Sequence, residues 1–190
     1  MHITIISDAS YCDKTKAAGF GSWVACKRGK KSYGSILNGA INSGVAEAMG
    51  ICNAIAYAMK GGLVFAGDVL LIQCDATDGL GILQGTTLGQ CEVRKGICDW
   101  FSNIVIKYKL KITFRHVKGH SKNLDSRSKA QRHCDELAYS YMQKARSLIQ
   151  LEKEKKRLAK NKTRNKVKHK DSQSNLKHVC ELIESKKVKV

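Results

Sequence analysis

HVKGHSKNLDSRSKAQRHCDELA, residues 116–138, sets a histidine in a glycine-containing turn (Lys118, Gly119, His120) and then, past a polar loop, opens a helix on Cys134-Asp135-Glu136. Neither half has the composition of a core, so ionisable groups arranged this way point to chemistry. Just upstream, KITFRHV (111–117) is rich in β-branched and aromatic residues and predicts a strand; downstream, a helix is predicted from 132 to about 147. Further out, VLLIQC (69–74) predicts a buried strand and 92–107 an amphipathic helix.

Toward the N-terminus, ITIIS (3–7), GFGSWVAC (19–26) and KSYGSIL (31–37) predict three antiparallel strands joined by hairpins. A helix follows from Ser43, its expected cap, with Val45, Met49, Cys52, Ile55 and Met59 recurring at helical steps until Gly61-Gly62 stops it. Three strands followed by alternating helices and strands imply an α/β fold, a mixed sheet covered by helices.

With 190 residues and 43% apolar content, the chain can build one domain of about 150 residues and an appendage. The composition changes near residue 148. Residues 1–147 carry the patterned elements, whereas 148–190 hold 14 Lys and Arg against 5 Asp and Glu and only scattered aliphatics, a basic arm that is helical or disordered. The net charge of +18 attracts polyanions over the ~8 Å Debye length of physiological salt. Nucleic acid is therefore the first partner to expect. A membrane is not expected: no apolar run reaches about 18 residues, and the arm is too poor in large apolar residues for an interfacial helix. The start, MHITIISDAS, lacks a signal-peptide pattern, so the expected location is the cytoplasm, or the host cytoplasm for a viral chain, with a monomer as the working expectation. The eight cysteines sit mostly inside apolar runs and never as CxxC, which predicts free, buried thiols.

Four acids need explaining. Asp8 closes the first apolar run and Asp75 closes VLLIQC, and strand ends are where such sheets place ligand groups. Glu47 is the one carboxylate in a helical stretch otherwise made of Ala, Met, Ile, Cys, Gly, Val, Asn and Tyr57. A carboxylate on a helix that is apolar all round should be buried, and burial unpaired costs several kcal/mol, so it calls for a cationic partner, which a metal ion can be. Asp135 sits in the first turn of the last predicted helix. Asp13, Asp68, Asp78 and Asp99 are expected to be solvated. Four acids from two strands and two helices can converge on one oxygen-only site, the ligand set Mg²⁺ prefers.

In this order, Asp8 after an apolar strand, Gly19-Phe20-Gly21, Glu47 in an Ala-rich helix, Asp75 after VLLIQC, then VKGH (117–120) and CDELA (134–138) resemble ribonuclease H of type 1 over residues 1–147. The resemblance implies a ribonuclease H-like fold with a five-stranded mixed sheet, the three antiparallel strands first. It implies two Mg²⁺ ions, with Mn²⁺ as a substitute: Asp8 bridging both, Glu47 and Asp75 completing one site, Asp135 the other. It implies a role for His120 in proton transfer or product release, cleavage of the RNA strand of an RNA–DNA hybrid to 5′-phosphate and 3′-hydroxyl ends, and selectivity through 2′-hydroxyls. Ser10, Asn42, Ser43, Thr77 and Lys118 would contact the hybrid. Departures are Ala9 where the family has glycine, Ser43 with Asn42 adjacent where it often has asparagine, a long basic loop from His120 to Asp135, and no room before VKGH for a basic handle helix, whose grip the arm can replace by binding nucleic acid or, alternatively, dock on a protein partner. The competing readings are a DNA nuclease or resolvase on the same fold and a non-catalytic binding module.

Overall fold

The computed structural model describes residues 1–117 and 125–187, with side chains through 160. The described elements are β1 (His2–Cys12), β2 (Ala17–Cys26), β3 (Gly29–Leu37), α1 (Ser43–Lys60), β4 (Val69–Cys74), α2 (Thr77–Leu83), α3 (Glu92–Lys107), β5 (Lys111–His116) and α4 (Ser126–Lys187). The strands form one sheet in the order β3-β2-β1-β4-β5. β1, β2 and β3 pair antiparallel as consecutive hairpins, whereas β4 runs parallel to β1 and β5 parallel to β4. Parallel pairing requires a crossover, and α1 lies in the connection that returns the chain to β4. This is the ribonuclease H-like architecture, a five-stranded mixed sheet flanked by helices.

The two faces of the sheet are used differently. Phe20 and Val24 of β2, Ile3 and Ile5 of β1, and Leu70 and Ile72 of β4 pack with Val45, Ile51 and Ile55 of α1 into the main core. Small residues of α1 (Ala46, Ala48, Gly50, Ala54, Ala58) are buried too, which lets a helix enclosed on several sides approach its neighbours closely. Side chains alternate along a strand, so Gly19 and Gly21 flank Phe20 on the opposite face. A Cβ at Gly21 would collide with the Cys134 carbonyl and lie 2.8 Å from Leu137 Cβ, and one at Gly19 would collide with the backbone N of Met142. The missing side chains seat the N-terminal part of α4, whose Cys134, Ala138, Met142 and Ala145 form a buried helical stripe.

Several expectations change. β1 does not stop at Ser7; it continues with β2 to Cys12, so Asp8 is not at the end of the strand but just past the point where pairing with β4 stops, at Ile6 and Gln73. Asn42, not Ser43, caps α1, its Oδ1 accepting the Val45 N–H at 2.9 Å. α2 was not expected. α4 starts at Ser126, where Asp125 Oδ1 accepts the Ser128 N–H at 2.6 Å, so half of the expected basic loop is helix. Asp68 is buried, not solvated: Arg28 clamps it with both guanidinium nitrogens at 2.5 and 3.1 Å, and the Met1 amino group joins at 3.0 Å. Arg28 first, and the Phe65 N–H with it, hold its carboxyl far below the usual range. Of the thiols described, Cys52, Cys74 and Cys134 are buried and the rest half-buried, all free.

The chain divides into two compact units, Met1–Leu148 and Ile149–Val190. The second is helical as far as Lys187, and its side chains from Leu151 to Lys160 are all exposed. No helix among the described residues is long and apolar enough to cross a membrane.

Candidate active site

β1 and β4 run parallel, so their C-terminal ends lie at the same edge of the sheet, and extending their register by two residues from Ile6 and Gln73 places Asp8 beside Asp75. Asp8 is also the direct partner of Gly21 across the β1–β2 ladder. Because the backbone of α4 rests on Gly21, Asp135 is brought to the same place, close enough for its charge to act on Asp8. Glu47 arrives from α1, one turn past the Asn42 cap. The fold thus gathers all four acids singled out in the sequence.

Glu47 is 5% exposed and held from two sides. Its Oε1 accepts the Ala9 N–H at 3.0 Å and its Oε2 the Cys74 thiol at 3.4 Å. Ala9 pairs with Phe20 in ordinary extended backbone, so this position has no need of glycine's freedom. Asp8 is 9% exposed, and Gln131 Nε2 donates to its Oδ2 at 3.3 Å. Burial, then the charges of Asp75 and Asp135, raise the Asp8 carboxyl from 3.8 to about 6. Burial, with the Asp8 charge next, pushes Glu47 well above its ordinary value. Such mutual repulsion marks carboxylates that share one site. Asp13, Asp68, Asp78 and Glu92 are held in ion pairs with Lys16, Arg28 and the amino terminus, Arg94 and Lys95, away from this cluster.

The donor set fits a hard divalent cation. Carboxylate oxygens dominate it, and those of Asp8 and Glu47 carry raised proton affinities that a cation would relieve. Gln131 adds an independent sign: among the described residues its buried Oε1 accepts no hydrogen bond, which leaves an unused acceptor beside Asp8. Glu47, Asp75 and the intervening Cys74 also place one ligand atom each within 4.8 Å of one another.

Four of the five expected hybrid contacts lie near these acids along the chain. Ser10 is half-buried two residues beyond Asp8, Asn42 half-buried and Ser43 exposed ahead of Glu47, and Thr77 exposed at the start of α2, two residues past Asp75. His120 and Lys118 lie outside the described residues. Sequence reasoning missed Gln131, whose only signal is its spacing of four from Asp135, which puts both on one helix face. It missed Cys74, which reads as one more apolar strand residue. It also missed His116, whose Nε2 lies 2.9 Å from the Asp75 carbonyl; a carbonyl only accepts, so this nitrogen carries the proton and ties β5 to the segment bearing Asp75.

No protein-family model matches the chain, and a search of curated proteins finds no match. Solved structures do match in fold. Ribonuclease H1 of the halophilic archaeon Halobacterium salinarum shares 14% identity at a TM-score of 0.60, over 76% of this chain and 100% of that one. The N-terminal ribonuclease H domain of a Mycobacterium tuberculosis protein, solved as a fusion with maltose-binding protein, shares 16% at 0.58, over 77% and 96%. LC11 ribonuclease H1 in complex with an RNA/DNA hybrid shares 19% at 0.56, over 75% and 98%. About three quarters of this chain thus spans nearly the whole of each, and at these identities the likeness is one of fold.

Proposed function

We propose that this chain is a divalent-metal-dependent endoribonuclease that cuts the RNA strand of RNA–DNA hybrids, leaving 5′-phosphate and 3′-hydroxyl ends. The observation that carries the reading is the convergence of Asp8, Glu47, Asp75 and Asp135 at one sheet edge of a ribonuclease H-like fold, with the Asp8 carboxyl raised to about 6. Those four side chains would hold two Mg²⁺ ions, or Mn²⁺ in their place. When bound, such ions stabilise the attacking and leaving oxygens of a phosphodiester displacement. The protein's own part is geometric: Ala9 N–H and the Cys74 thiol orient Glu47, and Gln131 orients Asp8. His120 is proposed to assist proton transfer or release of the cleaved strand. Ser10, Asn42, Ser43, Thr77 and Lys118 are proposed to meet the hybrid, with Asn42 offering its amide N–H groups because its Oδ1 is used in the cap.

Support for the substrate comes from one fold neighbour solved with an RNA/DNA hybrid and from the charge of +18. The basic arm is proposed to add phosphate contacts that carry no sequence information. The test is to compare end-labelled RNA–DNA hybrid, RNA duplex and DNA duplex as substrates with Mg²⁺ and to identify the product ends. Cleavage of hybrid RNA alone supports the proposal, whereas preferential cutting of duplex DNA would replace it with the resolvase-type reading.

A further inference from the structure

The sulfur of Cys74 touches two of the segments that bring the acids together. Its S–H lies 3.4 Å from Glu47 Oε2, and it accepts the Ala76 N–H at 3.4 Å. The other acceptor within reach of the thiol, the Ala76 carbonyl, is 4.0 Å away. A carboxylate is the stronger acceptor as well as the nearer one, so the thiol proton points to Glu47. Cys74 is completely buried.

Two neighbours along the chain give this contact its meaning. Ala9, which holds the other Glu47 oxygen, directly follows Asp8, and Ala76, which donates to the sulfur, directly follows Asp75. Glu47 is therefore tied through one oxygen to the strand carrying Asp8 and through the other to the turn carrying Asp75. We propose that Cys74 is a positioning residue: its sulfur locks the Glu47 carboxylate to the β4–α2 turn, holding Glu47 and Asp75 in register for a divalent ion before the ion arrives. The inference rests on the metal site proposed above. Sulfur suits the task because its longer bond to Cβ and its larger radius let one atom reach both the Ala76 N–H and Glu47; a serine hydroxyl is shorter and makes one contact at the expense of the other.

The test uses the full chain. In metal-free protein, the S–H stretching band of Cys74 is isolated by infrared difference against Cys74→Ala. At alkaline pH, where Glu47 is ionised, Glu47→Gln should move that band to higher frequency, because the amide oxygen is a weaker acceptor than the carboxylate. A band unmoved by Glu47→Gln overturns the inference without reference to metal. Mg²⁺ titration calorimetry is the second reading: Cys74→Ala, with its near-ultraviolet circular dichroism unchanged, should bind about 10-fold more weakly, the size typical of losing a partner that orients a ligand. Cys74→Ser should fall between the two. Binding by Cys74→Ala within about twofold of wild type removes the positioning role while leaving the metal site standing. Failure of the wild type itself to bind Mg²⁺ would instead remove the proposed site and this inference with it.

Discussion

Asp8→Asn should stabilise the metal-free protein at neutral and alkaline pH. The Asp8 carboxyl is raised from 3.8 to about 6, first by burial and then by the charges of Asp75 and Asp135. A carboxyl whose proton is held more tightly in the fold than in the unfolded chain stabilises the fold when protonated; that contribution is fully present below about pH 4 and is lost as pH rises through about 6. The shift of roughly two units corresponds to about 3 kcal/mol of strain in the ionised native state, at 1.36 kcal/mol per unit. Asparagine has the same shape, carries no charge, and keeps an oxygen for the Gln131 N–H that Asp8 accepts at 3.3 Å. Urea unfolding of protein stripped with EDTA, followed by circular dichroism, should therefore show the variant up to about 3 kcal/mol more stable near pH 8, with the gap closing toward pH 4. Mg²⁺ at a concentration 100-fold over its dissociation constant should narrow the gap, raising the wild type by about 2.7 kcal/mol and the variant by less. A gap that is absent, or the same at every pH, would falsify the claim that these acids share one site.

Gly21→Ala should destabilise the fold by at least about 1–3 kcal/mol in denaturant titration, because the added methyl meets the Cys134 carbonyl of α4, and it should weaken Mg²⁺ binding by displacing Asp135. An unchanged midpoint would mean that α4 does not rest on the sheet there. His120→Ala should slow hybrid cleavage, but within the roughly 10² to 10⁴-fold range of a proton-transfer role. A loss as complete as that of Asp8→Asn would make His120 a ligand or an obligatory base. Replacing the exposed Lys153, Lys155, Lys156 and Arg157 by glutamine should leave kcat near wild type and reduce the slope of log Kd against log salt by about 3–4 if each touches a phosphate. Parallel lines for variant and wild type would show that this part of the arm does not meet the hybrid.

The parts of the fold that show in the sequence are those whose pattern comes from burial on one side or on all sides. VLLIQC, the helical recurrence from Val45 to Met59 and the amphipathic stretch 92–107 match β4, α1 and α3 closely. α2 escaped because Gly79 and Gly81 lie within its seven residues and Gly85 lies just beyond, a composition that reads as a loop; its residues Gly79 to Leu83 are held by burial, not by propensity. The first turns of α4 escaped because SRSKAQ has no apolar period, and the helix there rests on the Asp125 cap and on buried Ser128 and Gln131. Asp68 looked like a loop acid because its partners, Arg28 and the amino terminus, lie far away in sequence. For the site, the acids stood out by being out of place among apolar neighbours. The groups that orient them, Cys74, Gln131 and the Ala9 N–H, are ordinary in sequence and become informative only when the strand ends and helices meet.

Cleavage of a hybrid with a labelled RNA strand, by wild type and by Asp8→Asn, with Mg²⁺ and with EDTA, tests the central claim most directly. Wild type should cleave the RNA only with the metal, and the rate should fall by about 10²-fold or more in the variant, since the four acids act by holding the charge that stabilises the displacement. Cleavage that persists in EDTA, or a variant that keeps more than about a tenth of the wild-type rate, contradicts that claim.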